Sequence, residues 1–288
     1  MNNIKNNITR LSRIFIFYSL VLIPITASAA TREKQVINTL KGVNSTIGLN
    51  YSSGDYGTGV NNTILTIPFD IYYRSGNWNV GVSSSYLQTE GTGTILPNFG
   101  GPMGGGSGNQ RPPGMGPGGS GSSGQTVTNS GFGDTIATAN YIIPSWSTNT
   151  TNIYVTGKVK LPTADETKSL GTGEMDYAAE LGFYKSNKGP DVYGSLGYQF
   201  TGEPAGTSLN DVLYGRIAIS YQLQNNKSAG VSFYASESIY TSGDAPMEIN
   251  GLFRALIDKN RWFNGYAGFG LTNGSPDWSA GFNIEFAF

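Results

Sequence analysis

The sequence predicts an all-β protein, a transmembrane antiparallel β-barrel of about twelve strands in the bacterial cell outer membrane. Three observations predict it. The chain opens on a secretory signal. It then breaks into segments of roughly ten residues with alternating polarity. The connectors between those segments alternate between short and long.

The signal occupies residues 1–29. Lys5, Arg10 and Arg13 form a positive leader, Ile14 to Ala27 is an apolar run holding Pro24, and Ala27-Ser28-Ala29 is a small-x-small cleavage site. The apolar core is too short for a membrane-spanning helix, and no later stretch is long enough either. Residues 30–42 read as a short periplasmic N-terminal segment, with Thr31 to Leu40 a short helix or a tail. Residues 43–288 read as the barrel.

Composition narrows the function classes. Three of the 18 basic residues and none of the 19 acidic ones lie in the signal, so the mature chain holds 15 against 19, a net charge of −4. That balance argues against a nucleic-acid partner. The absence of Cys rules out a disulfide framework in an oxidising compartment. The absence of His removes Ser-His-Asp and Cys-His nucleophilic sites and His-bearing zinc sites. Sparse charge (13%), many aromatics (12%) and 41 glycines suit short strands and turns better than helices.

The last segment shows the strand pattern most cleanly. Trp278, Ala280, Phe282, Ile284, Phe286 and Phe288 fall on one face, and Ser279, Gly281, Asn283, Glu285 and Ala287 on the other. The same apolar-out, polar-in alternation runs through 65–74, 153–161, 176–183, 192–200, 216–223 and 248–258. Weaker segments at 43–53, 77–88, 133–143, 228–241 and 261–272 bring the total to twelve, an even number as bacterial barrels require. Two residues strain the pattern. Strict alternation turns Glu237 towards lipid, so a bulge or a place at the rim is expected there. Pro68 lies inside a strand that has no free edge, so a local bulge with Pro68 facing inward is expected.

Short connectors follow the even-numbered strands and long ones the odd-numbered strands, which places both ends of the mature chain on the periplasmic side. The longest connector holds a Gly/Pro/Ser-rich tract, residues 99–124, which cannot bury enough apolar surface to offset its ordering entropy. It is expected to be a flexible extracellular loop.

The inward set is heavily charged for so uncharged a protein. It holds Asp70, Arg74, Lys158, Lys160, Asp176, Glu180, Arg216, Glu248, Arg254 and Glu285. Buried charges must be paired or wet, so two readings stand open. One is a barrel plugged by its own ion-paired side chains, a structural or surface-interaction protein. The other is a narrow passage whose lumen-lining charges select solutes. No catalytic residue and no cofactor is indicated. Asp165, Glu166, Glu174 and Asp176 do not match the spacing of a calcium loop, and no metal site is expected.

Several phrases resemble the outer-membrane transporter barrels grouped as the phenol-degradation meta-pathway family. They are Tyr51-Ser52-Ser53-Gly54-Asp55-Tyr56-Gly57, Ile67-Pro68, Tyr73-Arg74-Ser75-Gly76-Asn77-Trp78 and Gly131-Phe132-Gly133-Asp134. The run from Lys158 to Asp176 is the most specific, and Gly197-Tyr198 and Gly274-Ser275-Pro276-Asp277 complete the set. The resemblance implies a passive channel for small organic solutes, aromatic and hydrophobic ones among them, with outer-membrane lipid and the barrel assembly machinery as partners. The terminal Phe288 resembles the assembly signal of such barrels. The solute and the oligomeric state stay open.

Overall fold

The computed structural model describes residues 41–56, 61–91, 96–98, 108–110, 127–186, 189–241 and 243–288. The signal, the stretch before residue 41 and nearly all of the Gly-rich tract lie outside them. Twelve staves form one closed antiparallel sheet. They are β1 (Gly42–Gly54), β2 (Asn62–Ser75), β3 (Trp78–Gly91), β4 (Val127–Phe132 and Thr135–Ile142) and β5 (Thr151–Leu161). Then come β6 (Asp176–Lys185), β7 (Asp191–Phe200), β8 (Val212–Leu223), β9 (Lys227–Ser236), β10 (Met247–Asp258), β11 (Arg261–Gly270) and β12 (Trp278–Ala287). Each pairs with the next, and β1 closes the ring on β12, with Asn44 opposite Ala287 and Ser53 opposite Trp278. Closure leaves no unpaired edge for lipid to meet.

The outer face carries the apolar set. Ile71, Val82, Leu181, Leu196, Ile217 and Phe282 are all exposed. In a barrel of this kind that surface is lipid-facing. Aromatic pairs mark both rims, Trp78 against Tyr141 at 4.6 Å at the edge expected to be periplasmic and Tyr51 against Trp278 at 5.1 Å at the edge expected to be the outer one. Between β8 and β9, Leu223 pairs with Lys227 across three residues, of which Asn225 and Asn226 take positive φ, 62° and 57°, a conformation that Asn tolerates.

Both sequence-strained positions resolve without the bulges considered for them. β2 keeps one register along its length, so no bulge forms at Pro68. Instead the β1–β2 ladder lapses between Ile47↔Phe69 and Asn50↔Thr66, where Pro68 has no N–H to donate, and pairing resumes in the same register. Pro68 is half-buried on the same face as Thr66 and Asp70. Glu237 lies beyond the end of β9 at the outer rim, where its carboxylate accepts from Leu213 N at 2.8 Å.

Register shifts occur in β10, between Leu256 and Asp258, and in β4. Tyr86 pairs with Phe132 but Ser83 pairs with Ile136, so one extra residue of β4 is accommodated around Gly133-Asp134. The strand also starts earlier than the expected residue 133. Val127–Phe132 pairs with the outer part of β3 although its Thr128, Asn129 and Ser130 give no apolar alternation, which is why the sequence reads as loop.

Candidate functional site in the barrel lumen

The ten charged residues expected on the inner face are buried or half-buried on their strands and fall in three separate groups. The uppermost is an ion triad at the outer end. Lys160 and Asp176 are direct cross-strand partners, and Lys160 Nζ lies 2.9 Å from Asp176 Oδ2. The β4 bulge turns Asp134 onto the same face, 3.5 Å from that ammonium. All three side chains are at most 3% exposed. Two carboxylates thus share one lysine, and backbone N–H groups supply the remaining stabilisation. Ala164 N donates to Asp134 at 3.0 Å, and Gly202 N donates to Asp176 at 2.9 Å.

The middle group mixes charge with tyrosine. Lys158 Nζ is 3.4 Å from Glu180 and stands 5.7 Å from the centre of the Tyr214 ring. Arg216 lies at the same distance over Tyr234. These cation–π contacts fix the rings while Ile136 and Ala178 pack against them. Glu248 also faces the interior and is buried. Two inward glycines make room for the tyrosines. A Cβ on Gly182 would sit 2.3 Å from the Tyr154 ring, and one on Gly197 would sit 2.3 Å from the Tyr214 ring. Tyr193 stacks on Tyr154 at 6.3 Å.

The third group lies near the periplasmic end. Glu285 accepts from Tyr72 Oη and binds Arg254 at 3.1 Å. Arg254 covers Trp262 at 4.4 Å and Arg74 covers Tyr72 at 5.0 Å. Asp70 lies one inward position from Tyr72. Here the lumen is wetter. The Arg254 side chain is 37% exposed, whereas Gln199, Asn250 and Tyr214, higher in the barrel, are exposed by 0%, 1% and 2%.

The connector between β5 and β6 completes the outer end. Asp165 caps the turn Glu166–Lys168 by accepting from Thr167 N at 3.1 Å. The Thr167 hydroxyl holds this carboxyl below its usual range, and Lys168 adds to the effect. Asp134 and the inward tyrosines at 214 and 234 were not singled out among the lining residues from sequence. Their signal is present nonetheless, because Tyr214 stands two residues before Arg216, and Asp134 ends the Gly131–Asp134 phrase. Among the described residues no cluster of three metal-ligating side chains occurs.

A family model described as "Putative MetA-pathway of phenol degradation" matches residues 89–288. The chain belongs to this family. Among solved structures it is similar to an outer membrane channel from Pseudomonas putida F1. The two share 11% identity with a TM-score of 0.58, covering 93% of this chain and all of the other. Looser likenesses are to the NanC porin (TM-score 0.49, 10% identity, 85% and 98% of the two chains) and the CymD monoaromatic hydrocarbon channel (0.45, 9%, 92% and 95%). No curated protein matches the sequence. At this identity the first likeness establishes the fold, a closed outer-membrane barrel, and the family's matched region runs from the end of β3 to Phe288.

Proposed function

We propose that this barrel is a passive channel for small organic solutes, aromatic and hydrophobic ones among them, and that it performs no catalysis. One observation carries the reading. The rings of Tyr72, Tyr154, Tyr193, Tyr214, Tyr234, Trp262 and Tyr266 all occupy inward positions on their strands. A ladder of rings gives a planar aromatic solute successive faces and edges to stack on. The charges beside them, Lys158, Glu180, Arg216 and Glu248, supply donors and acceptors for a hydroxyl group. Membership of a family named for phenol degradation supports the same class. Outer-membrane lipid meets the apolar face, and the barrel assembly machinery would read the strand ending in Phe288. The test is uptake of phenol, benzoate and a sugar of similar size by vesicles holding the mature barrel. Phenol should enter fastest. Equal rates with and without protein would reject the proposal.

A second reading is favoured by the burial of Gln199, Asn250, Tyr214 and Tyr234 across the barrel's outer half. It takes the lumen as filled and the protein as a structural or surface-interaction barrel. Planar-bilayer recordings separate the two, since a filled barrel gives no conductance steps.

A further inference from the structure

The buried triad at the outer end holds more than the barrel wall. Two of its members also grip the connector of residues 162–175, and the third follows it directly in the chain. Asp134 accepts from Ala164 N at 3.0 Å, Lys160 donates to Thr172 Oγ1 at 3.1 Å, and Asp176 closes the connector. Thr163 Oγ1 accepts from Thr135 N at 2.9 Å. The connector is therefore fastened at both ends to groups that have themselves been withdrawn from water.

Between those fastenings the chain reverses sharply. Ser169 has φ 56° and Gly173 has φ 73°. Leu170, next to the first reversal, is fully buried. Its location follows from Gly131, which pairs with the inward, buried Leu87. A Cβ built on Gly131 would lie 2.8 Å from Leu170 Cδ1. A Cβ at an inward position points into the lumen, so the leucine lies inside the wall. Gly171 fits flat against the triad, since a Cβ there would sit 2.9 Å from Asp134 Oδ2.

We infer that residues 162–175 form a folded-in stopper, with Leu170 as its tip and Asp134–Lys160–Asp176 as its latch. This element, more than the strand wall, governs entry from the outer side. The inference rests on the channel reading above and deepens it. A solute arriving from outside must displace this buried apolar tip, which a small hydrophobic molecule can replace in its contacts, whereas a hydrated ion must shed water to pass. The latch has two discrete states because a buried ion array is held together or broken, with little between.

The chain contains no Cys, so Leu170→Cys gives a single reporter thiol. The mature barrel in vesicles is treated from outside with a water-soluble maleimide. The thiol should be protected while the latch is intact. Adding Lys160→Met should speed labelling at least about tenfold, as for a buried site opened to water. Equal labelling rates in the two backgrounds would overturn the latch. Gly131→Val, with Leu170 intact, pushes the leucine out without touching a charge and should raise single-channel conductance. Gel mobility before and after heating confirms that each variant is folded. If the parent conducts and neither released variant conducts more, the stopper is overturned and the channel stands. Silence from parent and variants alike overturns the channel reading and the gating role with it.

Discussion

Replacing Lys160 by Met tests what the outer triad is worth. The substitution keeps an unbranched side chain, one atom shorter, but strips the cation from between Asp134 and Asp176, which approach it at 3.5 Å and 2.9 Å. Water cannot take over, because none of the three side chains is more than 3% exposed. Leaving buried carboxylates without their counter-ion costs about 3–5 kcal/mol. The same principle makes a second, opposite prediction. Neutralising the whole array with Asp134→Asn, Lys160→Met and Asp176→Asn should restore most of the loss, to within about 1–2 kcal/mol of the parent, because no uncompensated charge is left. The amide oxygens of the new asparagines can still accept from Ala164 N and Gly202 N. Urea unfolding in lipid vesicles, followed by the fluorescence of the four tryptophans, reads both values. A triple variant no more stable than the single one would refute the reasoning, since the cost would then lie in packing and not in charge.

Three further outcomes are expected. Arginine placed at Ile217, an exposed outward position in β8, should destabilise the barrel by about 2–4 kcal/mol, while arginine at the inward neighbour Ala218 should cost far less. The same unfolding assay checks it, and equal costs would contradict the facing assigned to β8. Deleting Phe288, 77% exposed and donating its N–H to Val43 O at 3.0 Å, should cut the amount of heat-modifiable barrel in outer membranes sharply. Ala287→Ser should leave that amount near the parent's. Lys158→Glu places a second carboxylate beside Glu180, so the reversal potential in a salt gradient should shift towards cation preference. An unchanged potential in a conducting barrel would remove Lys158 from the selectivity path.

Most of the architecture was legible in the chain because a strand repeats every two residues and lipid tolerates only one of its faces. Wherever both conditions act, as in Trp278 to Phe288 or Arg216 to Leu223, the sequence carries facing and length together. Connector lengths then assign the two ends of the barrel. The pattern fails where lipid no longer imposes it. Val127–Phe132 is polar through its middle, Thr128 to Ser130, and reads as loop, yet the ladder with β3 extends through it. Pro68 reads as a disruption, but losing two rungs beside an unshifted register suffices, because the other ladder of β2 stays complete.

The inner face was legible as a set but not as a site. Alternation puts Lys158, Lys160, Asp176 and Glu180 on one side of two neighbouring strands, and it says nothing of which atoms meet. Tertiary structure decided that Lys160 serves Asp176 and Asp134 while Lys158 serves Glu180. It also decided that a one-residue bulge turns Asp134 inward, and that Leu170, in a connector with no periodicity, is buried against Gly131. Periodicity reports direction from a strand's own axis. Contacts across the lumen and from a returning loop depend on the register and closure of the whole sheet, which are fixed only when every strand has found its neighbours.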